Sequence, residues 1–102
     1  AKRKELGEEL QRVANNGDVE GVKRWLDAGA EVDYHENGDL WTPMHVAIIH
    51  KHGDYVGVVK ELLARRADAN QRDNRGRTAL TFAAMNNAAA VIPELMKPAT
   101  NL

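Results

Sequence analysis

The sequence predicts an all-α fold, a solenoid of stacked helix-turn-helix units with short β-hairpin fingers along one edge. Three observations predict it. First, residues 10–33 (LQRVANNGDVEGVKRWLDAGAEVD), 41–70 (WTPMHVAIIHKHGDYVGVVKELLARRADAN) and 77–87 (RTALTFAAMNN) read as copies of one unit. Second, the copies keep register: Leu10 to Met44 is 34 positions, Met44 to Leu80 is 36, Gly17 to Gly53 is 36 and Ala30 to Ala67 is 37. A period in the thirties marks one supersecondary unit stacked on itself. Third, apolar residues recur at helical spacing between glycine and asparagine stops, and such a helix pair cannot bury its stripe without a neighbour.

The elements follow in order. Glu5 to Asn15 reads as a helix with Leu6, Leu10 and Val13 on one face, and Asn15-Asn16-Gly17 stops it. Asp18 is the N-cap of a partner helix carrying Val22, Trp25 and Leu26, which Gly29 ends. Ala30 to Trp41 is the first finger, with Asn37-Gly38-Asp39 as its turn. Thr42 caps the next inner helix, and Pro43 sits in its first turn, where a missing N–H costs nothing. Asp54 caps its outer partner, whose Val58, Val59, Leu62 and Leu63 are expected core. The second finger runs from Ala67 to Arg77, with Asp73-Asn74-Arg75-Gly76 at its tip. Thr78 caps a third inner helix, Leu80 to Asn86. Pro93 falls inside the last outer helix, where an interior proline costs about 3 kcal/mol or more unless the helix restarts there. A short, broken or kinked final helix is therefore expected, with Pro98 ending the order. The whole chain, 1–102, is expected to be one domain with units near 5–36, 37–73 and 74–98 and a tail at 99–102.

Composition bounds the function. The chain has 102 residues, 43% of them apolar and 28% charged, the profile of one small soluble domain. A formal net charge of −1 provides no general pull toward nucleic acid or a membrane surface. Cysteine is absent, which removes disulfides, thiolate catalysis and zinc–thiolate sites. The expected setting is intracellular and soluble, the cytoplasm first, with nucleus or organelle interior as alternatives. No apolar run reaches the ~18–20 residues that span a bilayer. The start Ala1-Lys2-Arg3-Lys4 fits either an excised domain or a mature chain trimmed of a targeting segment.

Serine is absent too, and no nucleophile elbow or phosphate-binding glycine loop is present. Thr, His and Asp occur mostly at capping or finger positions, so no enzyme activity is expected. His35, His45, His50 and His52 raise a metal reading, but His50 and His52 are two apart, on different sides of a helix. Without cysteine, three or four His, Asp or Glu would have to converge. No metal and no cofactor are expected. Arg65, Arg66, Arg72, Arg75 and Arg77 crowd the second finger, while Glu31, Asp33, Glu36 and Asp39 crowd the first. An acidic finger beside a basic one is poor for tracking phosphates, so no nucleic-acid partner is expected. The two fingers either neutralise each other across their gap or present a mixed-charge surface to a partner. Trp25 is expected to pack. Trp41, beside Leu40 and near Tyr34, has two readings: a binding hot spot, or a ring packed over the next unit.

Thr42-Pro43-Met44-His45-Val46-Ala47 resembles the ankyrin signature T-P-L-H-x-A. Gly17 through Ala30 is similar to that family's second-helix segment, Arg65-Arg66-Ala67-Asp68-Ala69-Asn70 repeats its ending, and Asn74 through Leu80 opens a third unit in the same way. The resemblance covers roughly residues 6–97. It implies an ankyrin-repeat solenoid with about three units, in which His45 links its helix to neighbouring loops. Asn87 stands where glycine is usual in the family, a place asparagine tolerates because it visits the left-handed region.

The resemblance also implies an adaptor or scaffold that binds another protein through its concave face. The candidates it implies are His35, Asp39, Trp41, Ile49 and His50 in the second unit, Arg75, Arg77, Thr81, Met85 and Asn86 in the third, and Arg72 on the finger between. Val91, Ile92, Leu95 and Met96 around Pro93 suggest association with another subunit, of the same or a different kind, at the C-terminal end. The rival readings are a structural or capping module of a larger assembly and an organellar protein-sorting adaptor.

Overall fold

Each unit turns back on itself where the sequence places a cap. A computed structural model describes residues 2–97. It contains α1 (Lys2–Asn15), α2 (Val19–Asp27), α3 (Pro43–His50), α4 (Tyr55–Ala64), α5 (Ala79–Met85), a 3-10 turn over Ala89–Val91, and α6 (Ile92–Met96). Helices α1, α3 and α5 stack as an inner layer, and α2, α4 and the 3-10 turn as an outer one. The fold is the expected all-helical solenoid.

The caps repeat as the sequence does. Asp18 Oδ1 accepts from Gly21 N and Asp54 Oδ1 from Gly57 N, each at 2.9 Å. Thr42 and Thr78 start α3 and α5 with reciprocal capping boxes, closed by His45 and Thr81. Capping matters here because these helices have only seven to ten residues, too few to hold without caps and packing.

The loops between paired helices stack backbone on backbone. Asp54 N donates to Gly17 O at 3.1 Å, and a Cβ at Gly17 (φ 68°) would strike the His52 carbonyl oxygen. Glycine is required there by conformation and by contact. The chain reverses tightly after α3: Lys51 caps the helix at φ 52°, its N–H donating to Ala47 O.

The fingers reverse through turns, and among the described residues neither forms a strand. Asp73 N donates to Arg77 O and Gly76 N to Asp73 O in the second finger. The fingers are joined by Asn74 N to Asp39 O at 2.9 Å and by Asp68 N to the Asp33 carboxylate.

Leu10, Val22, Ile48, Val58, Val59, Leu62, Phe82 and Val91 form one buried cluster between the layers. Burying a side chain of this size contributes about 1.5–3 kcal/mol. Leu63, expected in the core, is only half-buried at its margin, as are Trp25 and Leu26. The final outer helix is broken as expected. The 3-10 turn ends, and α6 restarts with Pro93 in its first turn, where proline costs no hydrogen bond. Asn87 adopts φ 57°, the left-handed position expected of it. The stop at Pro98 and the tail at 99–102 lie outside the described residues.

Candidate functional site

The fingers are built around one carboxylate. The Asp73 side chain has no solvent exposure. Its oxygens accept from Arg75 N (2.9 Å), Arg77 N (2.8 Å), Arg77 Nε (2.9 Å) and Trp41 Nε1 (3.1 Å). Burial by itself pushes the Asp73 carboxyl up. The backbone N–H groups of Arg77 and Arg75, with the Trp41 indole and the Arg77 guanidinium, outweigh it and hold the group at about 2.

His45 forms the second joint. Thr42 N donates to His45 Nδ1 at 3.1 Å, so Nδ1 is the bare nitrogen, and Nε2–H donates to Arg77 O at 3.1 Å. Burial lowers the imidazole pKa, against the opposing pull of the Arg77 carbonyl and Asp73. The ring also lies edge-on to Phe82, with centroids 5.7 Å apart. This is the linking geometry that the resemblance implies for this histidine.

On this frame the expected binding residues divide into two groups. Trp41 and Arg77 are partly buried and tied to Asp73. The Trp41 ring meets Phe82 edge-on at 6.2 Å, and the Arg77 guanidinium lies over Phe82 at 4.6 Å. Thr81, itself exposed, closes the α5 capping box, and Asn86 ends that helix while its carbonyl accepts from Lys51 Nζ at 2.7 Å. Ile49 is half-buried against the core. The other candidates stand in solvent. His35 and Asp39 lie on the first finger, Arg72 and Arg75 on the second, His50 at the end of α3, and Met85, 60% exposed, at the end of α5.

The fingers do not neutralise each other as one reading expected. Among the described residues, Arg65 pairs with Asp27 and Glu61, Arg77 with Asp73 in its own finger, and Glu31 with Arg3 of α1. The charges nearer the tips bond within their own fingers: Glu36 Oε2 accepts from the Tyr34 hydroxyl at 2.8 Å, Asp39 Oδ1 from Trp41 N at 2.9 Å, and Arg72 Nη1 donates to Gly76 O at 2.9 Å.

A depression of about 310 Å³ opens between the first finger, α1 and α3, lined by Glu8, Gln11, Glu36, Asp39, Trp41 and Val46. Its floor combines an indole and a valine, and its rim carries three carboxylates. Gln11 braces it by donating to the carbonyls of Tyr34 and Trp41 at 2.8 and 2.9 Å. Sequence reasoning missed Glu8, Gln11 and Val46 as members of this surface, and named Glu36 only among the acids of the first finger. The available signal was that Glu8 and Gln11 are three apart, hence on one helix face. Tyr34 is buried, with its ring laid over Gly7 where a Cβ would collide.

His50 and His52 lie with ring centroids 5.8 Å apart, and among the described residues no three His, Asp or Glu side chains converge as a metal-ligand set. Nor is any described helix long and apolar enough to cross a membrane.

A family described as ankyrin repeats, in three copies, matches residues 10–102. The chain is similar to the serine/threonine-protein kinase 12 of Arabidopsis thaliana, 38% identical over 72 residues, covering 71% of this chain and 15% of that protein. It is 34% identical over 76 residues to the 2-5A-dependent ribonuclease of Homo sapiens, covering 74% of this chain and 10% of that one. It is 32% identical over 92 residues to the ARF GTPase-activating protein Git of Drosophila melanogaster, covering 90% and 12% respectively. The chain thus spans a small fraction of the length of each, and the activities in those names belong to those proteins.

Proposed function

The chain belongs to the ankyrin-repeat family, and on that premise we propose that it is a non-catalytic adaptor or scaffold module, intracellular, binding another protein through its concave face. Repeats of this family generally serve as protein-interaction modules. The face comprises the finger tips and the exposed side of the inner helices. The observation that carries the reading is the acidic depression of Glu8, Glu36 and Asp39 over Trp41 and Val46, on the finger surface that also exposes Arg72 and Arg75. Asp73 and His45 fix the backbone beneath, so a partner orders little on docking, and binding keeps more of its contact energy. Two signs of charge on one rigid surface select and orient a partner with the opposite pattern. The depression suits a lysine or arginine of that partner, whose aliphatic stem covers the apolar floor while its charge meets the rim.

The test is affinity capture with wild type and a Glu36→Lys, Arg75→Glu, Met85→Lys variant of unchanged melting temperature. A protein retained by wild type and lost by the variant is expected. Equal retention by both would move the interface off this face.

A second reading rests on a different observation. Leu80 occupies in the third unit the place of Met44 in the second, yet Met44 is 2% exposed and Leu80 39%. Met96 at the same end of the solenoid is 64% exposed. A module whose C-terminal face packs on another subunit would cover these groups. Concentration-dependent sedimentation of the wild type, abolished by Leu80→Lys, would favour that reading.

A further inference from the structure

The chain contains the dipeptide Asn-Gly twice, at Asn16-Gly17 and Asn37-Gly38, and the structure treats the two oppositely. Gly17 is buried, its N–H donates to Ala14 O at 3.1 Å, and its Cα packs against the backbone of His52 and Asp54. Gly38 is exposed at φ 107°, nothing lies within 4 Å of where its Cβ would be, and among the described residues its N–H has no hydrogen-bond partner. Asn37 beside it is exposed in the same turn.

We infer that Asn37-Gly38 is a site of spontaneous deamidation, a self-modification that adds a carboxylate to the first finger, and that Asn16-Gly17 is protected from it. The Gly38 amide nitrogen gives up its proton and attacks Asn37 Cγ. The N–Cγ bond forms, the Cγ–Nδ2 bond breaks, and the side-chain nitrogen departs as ammonia. The resulting five-membered imide is opened by water at either carbonyl, leaving aspartate or isoaspartate at position 37. Glycine permits ring closure because no side chain shields its nitrogen and its backbone reaches conformations closed to other residues. An exposed turn supplies the needed motion, whereas a packed helix stop reaches the same geometry only by local opening.

The product bears on the surface around it. Asn37 follows Glu36, which lines the acidic depression, and both residues line a second hollow with Arg3, Lys4, Tyr34 and His35. The new carboxylate makes the formal net charge one unit more negative than −1 and concentrates the change on one finger. The modification itself does not depend on the proposed binding function.

The experiment incubates the folded wild-type chain at 37 °C in buffers from neutral to mildly alkaline pH and follows both dipeptides by peptide mass mapping, with isoaspartate distinguished by electron-based fragmentation. A parallel sample is held unfolded in guanidinium. In the folded chain Asn37 should convert more than about ten-fold faster than Asn16, because only the latter must open first. Conversion at Asn37 should accelerate with pH, since the attacking nitrogen must be deprotonated, and the two sites should convert at similar rates in the unfolded sample. An Asn37 that converts no faster than Asn16 in the folded protein, or a difference that survives unfolding, would overturn the inference.

Discussion

Remove the Asp73 carboxylate and two backbone N–H groups, an indole N–H and a guanidinium lose their acceptor at once. Breaking a buried charge pair on one side costs about 3–5 kcal/mol, and Arg77 is only partly buried, so Asp73→Ala should lower unfolding free energy by about 3 kcal/mol in urea titrations. The pH dependence has a definite sign. Asp73 has a folded pKa of about 2, below its ordinary 3.8, so its stabilisation is complete above about pH 4 and disappears as pH falls through about 2. The stability gap between wild type and Asp73→Asn should therefore shrink across that window; a gap independent of pH would refute the assignment. His45 acts earlier. Its folded pKa lies below the ordinary 6.5, so the unfolded chain takes up the proton first and stability starts to fall as pH drops below about 6.5. A proton on Nδ1 would face the Thr42 N–H that now donates to it. Gly7→Ala should destabilise the fold by about 1–3 kcal/mol by pushing a methyl group into the Tyr34 ring.

At the scale of elements, the helices were legible and the finger paths were not. Asp18, Thr42, Asp54 and Thr78 announce helix starts because a cap is a local interaction, complete within four residues. The fingers are held by bonds between distant residues: Asp68 to Asp33 spans 35 positions and Trp41 to Asp73 spans 32. No local pattern marks Asp73 as the buried aspartate among neighbours that stay exposed. For the same reason the sequence left Trp41 with two readings, partner-facing or packed over the next unit; its indole and the Arg77 guanidinium both bond Asp73, while Arg72, Arg75 and Met85 stand exposed. The restart of α6 at Pro93 gives a sharp expectation. Because proline occupies the first turn, Pro93→Ala should change stability by less than about 1 kcal/mol in thermal melts. A gain near 3 kcal/mol would mean that proline breaks a helix interior there.

At the scale of the molecule, the repeats form two layers in which each unit leans on its neighbours, so stability is shared between units and weakest where a neighbour is missing. Helix α5 has α3 on one side, and Leu80 and Met85 remain exposed. Amide exchange should be fastest in α5 and α6 and slowest in α3 and α4, the units flanked on both sides. The repeat register in the sequence was enough to place these layers. It could not place the concave surface in detail, because the depression joins Glu8 and Gln11 of the first unit to Glu36, Asp39 and Trp41 of the first finger. The central claim is that this concave face is where a partner docks. Site-specific photo-crosslinking tests it most directly, with the reactive group placed at Arg75 or Met85 on the proposed face and at Glu20 or Lys60, exposed on the outer helices. In native extract, the same protein adduct should form from positions 75 and 85 and be absent from positions 20 and 60. Adducts from the outer positions alone would contradict the account.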